Sequence, residues 1–255
     1  MSRSGVTPSP LFLAIVAISI AGGVLSVSDS GLTQKVGVII VVLGGWAVSL
    51  CLHEFMHAFV AYRGGDRSVK WKGYLTLDPR KYTDPMLSII LPLIFVAIGG
   101  LPLVGGAVWI DHHALKDKRT QSLVSFAGPA TNLVFGAALL LVVSLTDPAR
   151  GLAAGLSYLA FLQFLGFVLN MLPVPGLDGW GIWEPYMSYK TQLWGREASR
   201  WAWIALFAVL FLSSTASGLL FSGGASLFSL FGGDEQALYD GYQMTSFKDL
   251  FSPEF

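Results

Sequence analysis

Trp46-Ala-Val-Ser-Leu-Cys-Leu-His53-Glu54-Phe-Met-His57-Ala-Phe-Val-Ala-Tyr62 decides how the rest of the chain is read. It is an apolar run interrupted by His53, Glu54 and His57, all within five positions. On a helix the two histidines lie one turn apart on the same face, so both imidazoles reach one metal ion. Glu54 stands beside them, placed to take a proton from a water at that metal. Ionisable groups are costly in hydrocarbon, so three together point to function. The alternative is a chance H-E-x-x-H with two hydrogen-bonded core histidines.

The surroundings of the motif are those of a membrane protein. Of 255 residues, 53% are hydrophobic and 13% charged, with a mean hydropathy of +0.61. Soluble domains carry about 25% charged residues. The 16 basic and 16 acidic side chains balance, which argues against a nucleic-acid partner. Cys51 is the only cysteine, so no internal disulfide forms. It lies about 200° around the helix from His53 and reads as packing rather than as a ligand.

Leu11 to Val27 is apolar and long enough for a first transmembrane helix, read as uncleaved because a single Arg3 precedes it; the alternative is a signal peptide. The motif helix is expected over Val36–Tyr62, ended by Gly64-Gly65. The next stretch, Arg63 to Lys81, carries six Lys/Arg and reads as a cytoplasmic loop. Within it, Lys70 to Leu77 alternates and holds β-formers, which predicts a strand closed by Asp78-Pro79.

Pro85 to Ile110 is apolar but broken by Pro92, Gly99-Gly100, Pro102 and Gly105-Gly106. If it dips in and returns, 13 of the 16 Lys/Arg fall on the cytoplasmic side, leaving Lys35, Arg150 and Lys248 outside. That split fits the positive-inside rule, so a re-entrant segment is expected, with a helix over Met86–Ile98 and a strand over Gly106–Asp111. Spanning helices follow over Thr120–Leu145, Leu152–Leu172 and about Arg200–Phe221. Five of the eight tryptophans (Trp180, Trp183, Trp194, Trp201, Trp203) cluster from the end of the Leu152–Leu172 helix to the start of the last one, as at a membrane–water boundary. The fold class is therefore an all-α polytopic membrane protein, with about five transmembrane helices and one re-entrant helix/β segment enclosing a zinc site. Residues 1–222 form the membrane-embedded domain, with its core at 36–183, and 223–255 a short extracytoplasmic tail.

A catalytic zinc wants three protein ligands and an open position. Asp178 is the best third ligand, because the re-entrant topology brings it to the same membrane face as the inner end of the motif helix. Pro173, Pro175, Gly176 and Gly179 break the helix there and let a carboxylate turn inward. The alternative is a loop aspartate capping the next segment.

Together, His53-Glu54-Phe-Met-His57, Ala127-Gly-Pro-Ala-Thr-Asn132 and Asn170-Met-Leu-Pro-Val-Pro-Gly-Leu-Asp178-Gly resemble the site-2 protease family of intramembrane zinc metalloproteases. The resemblance covers roughly Val36 to Trp183. It implies one zinc ion per chain held by His53, His57 and Asp178, with Glu54 as general base. It also implies that Asn132 and Asn170 hold the substrate backbone or the tetrahedral intermediate, with Gly106 and Pro175 as further substrate contacts. Gly105-Gly106-Ala-Val-Trp109 looks like the family's membrane-dipping β segment, which pairs with an unwound substrate. The implied partner is a single-pass transmembrane protein or peptide within the lipid bilayer. The implied location is a bacterial inner membrane, with the active site nearer the cytoplasmic face. The chain lacks room for a PDZ insertion or a CBS pair and looks like a minimal form.

Two rival readings use the same residues. A metal transporter or sensor would suit broken helices and mid-membrane ionisable groups, but leaves Glu54 without a task. An idle scaffold would keep the fold alone. His112-His113 could approach the metal as a lid, or be an ordinary solvated loop.

Overall fold

Small residues set the first helix contact. In this computed structural model, which describes residues 7–81 and 108–246, helices α1 (Pro10–Leu25) and α2 (Gly31–Gly64) form an antiparallel hairpin. A Cβ on Gly22 would sit 2.5 Å from Ile40, and one on Gly37 2.2 Å from the Ser26 backbone nitrogen. The two backbones therefore approach as closely as glycine alone allows, which is how helices gain contact in lipid. Ser9 caps α1 by accepting from the Phe12 N–H at 3.1 Å, with Pro10 at the first helical position. At 34 residues α2 is about 50 Å long, more than the hydrocarbon thickness requires. It stops at Gly65, whose φ of +130° suits glycine and whose N–H returns to the Ala61 carbonyl.

The segment after α2 departs from the predicted strand. Lys70 to Leu77 forms the end of a short helix, α3 (Ser68–Trp71), and a 3-10 turn over Tyr74–Thr76. Gly73 and Leu77 take left-handed conformations (φ +79° and +53°) that break an extended run. The alternating apolar residues do not share one face: Trp71 is exposed, while Leu77 is buried with Val69, Tyr74, Ala58 and Ala61.

The helix expected over Met86–Ile98 lies outside the described residues, as do Gly106 and most of the expected re-entrant segment. Val108 to Asp111, the described part of the expected strand, is irregular. Its flanks meet. The buried Asp66 carboxylate accepts from the Ser68 and Asp111 N–H groups, each at 2.8 Å. Lys72 Nζ donates to the Trp109 carbonyl, and the Lys116 N–H donates to the Gly64 carbonyl. Lys116, and Lys118 and Arg119 at the start of the next helix, therefore lie at the same end of the molecule as Gly64 and the segment that follows it.

That helix is α4 (Lys118–Thr146), capped by Asp117, which accepts from the Thr120 N–H at 2.7 Å. It runs antiparallel to α2, with Thr120 against Gly64 and Val124 against His57. Helix α5 (Arg150–Asn170) returns antiparallel to α4 and parallel to α2, with Gly155 against Val41 and Gly45 against Leu159. A loop holding Gly176, at φ +94°, leads into the six-residue α6 (Asp178–Trp183). The C-terminal part comprises α7 (Tyr189–Leu212), α8 (Ser214–Leu230) and α9 (Glu235–Thr245).

Among the described residues, α2, α4 and α5 are long and apolar enough to cross a membrane. A fourth crossing is available if the bent pair Ile204–Leu212 and Ser214–Leu230 counts as one span. The expected helix over Arg200–Phe221 is thus broken, by a bend of 97°. Ser213 is extended there, and its hydroxyl accepts from the Ala216 N–H at 3.2 Å, which caps a new helix rather than continuing the old one. Helix α1 is apolar but has only 16 residues, about 24 Å. Helix α8 runs past Ser222, and the amphipathic α9 packs on α5, with Gly241 against the Ala154 carbonyl. Arg150 Nε donates to Asp240 at 2.7 Å and fastens that contact.

Candidate metal centre

Two elements deliver the three candidate ligands. Helix α2 presents His53 and His57 on one face, and their Nε2 atoms lie 3.0 Å apart. Asp178, at the first position of α6, straddles them, with Oδ2 3.2 Å from His53 Nε2 and Oδ1 3.3 Å from His57 Nε2. Among the described residues this is the one group of three potential ligands drawn together. Helix α6 is held in place by the Ser122 hydroxyl, which donates to the Ile182 carbonyl at 2.7 Å. Gly179 leaves room for the turn, since a Cβ there would sit 2.4 Å from the Met171 and Leu172 carbonyl oxygens.

The donor set fits zinc. The His57 Nδ1 lies 2.6 Å from the Val124 carbonyl of α4. A carbonyl can only accept, so the proton is on Nδ1 and the neutral ring's lone pair on Nε2. His53 Nδ1 is 3.0 Å from Asn132 Oδ1 in the same sense. Two lone pairs and a carboxylate thus converge at separations of 3.0–3.3 Å. A tetrahedron with metal–nitrogen bonds near 2.0–2.1 Å has edges of about 3.3–3.4 Å. Such a set of donors repels itself unless a cation sits among them.

Helix α4 makes the space for that ion. A Cβ on Gly128 would lie 2.2 Å from His57 Nε2 and 2.5 Å from His53 Nε2. Glu54 is buried on the same turn of α2 as His53 and His57.

Of the other residues singled out by sequence, Asn132 joins the cluster through His53. Asn170 is half-buried at the end of α5 and makes no hydrogen bond to the cluster among the described residues. Pro175 is half-buried in the loop before α6, and Gly106 lies outside the described residues. His112 and His113 are exposed in a 3-10 turn, apart from the three ligands. Cys51 is buried with Ala58 and Ala61 and is not among the three converging ligands. The sequence reading missed Gly128, the Val124 carbonyl and Ser122. Spacing could have found the first, since Gly128 and Asn132 repeat the four-residue step of His53 and His57 on a helix running the other way.

Comparison with known proteins agrees with this chemistry. Rip2 of Mycobacterium tuberculosis, provisionally named a zinc metalloprotease, is 45% identical over 90% of this chain and 90% of its own length. Rip2 of Mycolicibacterium smegmatis, named in the same way, is 46% identical over 82% of each chain. YwhC of Bacillus subtilis, also so named, is 32% identical over 72% of this chain and 87% of its own. No family model matches the chain. No solved structure matches it either. The chain belongs to the site-2 protease family of zinc metalloproteases, and His53, His57 and Asp178 fit a single zinc ion.

Proposed function

We propose that this chain hydrolyses a peptide bond in or near the transmembrane segment of a membrane-protein substrate, within the bilayer. The observation that carries the reading is the convergence of His53, His57 and Asp178 beside a buried Glu54, on a helix otherwise apolar enough to cross a membrane. Zinc held there would supply the Lewis acidity that polarises a peptide carbonyl and acidifies water. His53 and His57 turn their Nε2 atoms to the ion because their Nδ1 protons are committed to α4. Glu54 accepts the proton of the attacking water and returns it to the leaving amine. Burial of the three α2 side chains excludes bulk water from the step. A substrate helix hides its own carbonyls, so it unwinds before it reaches the site.

Asn170, Pro175 and Gly106 serve the substrate backbone in this reading. The basic cluster from Arg63 to Lys81, joined by Lys116, Lys118 and Arg119, supports a site nearer the cytoplasmic face of a bacterial inner membrane.

Glu54→Gln is the direct test. Purified in detergent, the variant loses cleavage of a transmembrane peptide by about 10²–10⁴-fold and keeps its zinc. Single-pass membrane proteins accumulate in cells that carry it. Cleavage at the parent rate would remove Glu54 from the mechanism, and an unchanged membrane proteome would leave the chain without a protease role in the cell.

A further inference from the structure

Helices α2 and α4 meet in a four-residue register. Val124, Gly128 and Asn132 step along α4 at the same interval as His57 and His53 along the antiparallel α2. Val124 meets His57, Gly128 meets both rings, and Asn132 meets His53. Each position has one local task. Val124 offers a carbonyl, Gly128 offers empty space, and Asn132 offers an amide.

We infer that Asn132 is a positioning residue for zinc, fixing the tautomer and aim of His53, rather than a group that grips substrate. The orientation of its amide follows from chemistry. His53 Nε2 faces His57 Nε2 and the Asp178 carboxylate, so its lone pair belongs on that side and its proton on Nδ1. The atom 3.0 Å from Nδ1 must then be an acceptor, which is Oδ1 of Asn132. A flipped amide would set two donors against each other. The opposite side of the amide is confined too, since a Cβ on Gly166 of α5 would lie 2.9 Å from Nδ2. Asn132 is therefore held between the ligand and the neighbouring helix, with its oxygen committed.

Such an outer partner orients a ligating imidazole and raises its basicity, and removing one typically weakens metal binding by about 10–100-fold. This inference rests on the zinc site of the proposed protease but not on cleavage, so its test measures metal. The full chain in detergent is titrated with zinc against chelators of graded strength, for Asn132→Leu and Asn132→Asp. Leucine has similar volume and no acceptor, and weakens zinc by about 10–100-fold. Aspartate restores an oxygen acceptor at that place and holds zinc as tightly as the parent or tighter. In ¹⁵N-histidine spectra of the zinc-loaded parent, His53 retains a proton on Nδ1. That measurement carries the test if the leucine variant fails to fold. Parent-like zinc affinity in Asn132→Leu, with a raised KM for a cleaved peptide, would return Asn132 to the substrate. A His53 ring coordinated through Nδ1 would overturn the inference directly. Loss of cleavage by the parent chain would leave all three metal readouts intact and count against the protease reading alone.

Discussion

Helix α2 meets its two long neighbours through glycines, but the contents of the two contacts are opposite. Against α5, Gly45 gives way to Leu159, and Gly155 lies against Val38 and Val41, so the space freed by a missing side chain is filled with hydrocarbon. Against α4, the space left by Gly128 is faced by two imidazole nitrogens. One glycine contact is packing, where partial repair is available because an aliphatic side chain can turn away. The other is a binding volume. A methyl group there competes with the ion itself.

The sharpest way to break that contrast is Gly128→Ala, which should leave a folded chain that has lost zinc by about 100-fold or more, read by metal content after dialysis. A variant that kept its zinc would mean that the ligands do not close on the space beside Gly128. Ser122→Ala comes next, because it removes the hydroxyl that ties α6, and with it Asp178, to α4. Losing one hydrogen bond of about 1 kcal/mol should weaken zinc roughly fivefold without lowering Tm by more than a few degrees. Gly45→Ala should do the reverse, with zinc unchanged and stability reduced by about 1–3 kcal/mol as Leu159 shifts, measured by unfolding in detergent.

The smallest effect lies at the far end of α5. The Arg150 hydrogen bond, helped by Gln236, holds the Asp240 carboxyl below the usual carboxylate range. A group depressed in the folded chain stabilises it above its unfolded pKa of about 3.9, and that contribution fades as pH falls through the folded value. Asp240→Asn should therefore lower Tm slightly at pH 7, and the gap from the parent should narrow below about pH 4. Arg150 is largely exposed, so the difference stays small and shrinks with salt. An equal gap at both pH values would remove the ion pair from the fastening of α9.

Much of the site was legible because side-chain chemistry announces itself. Two histidines at helical spacing and a proline-flanked aspartate can be found without coordinates. What was hidden acts through the backbone, through absence or, at Ser122, through an ordinary hydroxyl whose partner is sixty residues away. The Val124 carbonyl has no signature in residue type, and Gly128 contributes by what it lacks. The helices that pack as spans were legible too, since α2, α4 and α5 follow long apolar runs. The strand expected at Lys70 to Leu77 failed because its alternating apolar residues do not share a face: the chain coils, Trp71 turns out and Leu77 turns in. The break at Ser213 was missed because a capping serine inside an apolar stretch looks like one more small residue.

Asp178 lies more than a hundred residues after His57 in the chain, beyond two further long helices. At synthesis speeds of about 5–20 residues per second, several seconds separate the emergence of the two histidines from that of the carboxylate. During that interval a ribosome-bound fragment carries two of the three ligands. The metal centre is complete only once α4, α5 and the start of α6 have all been made.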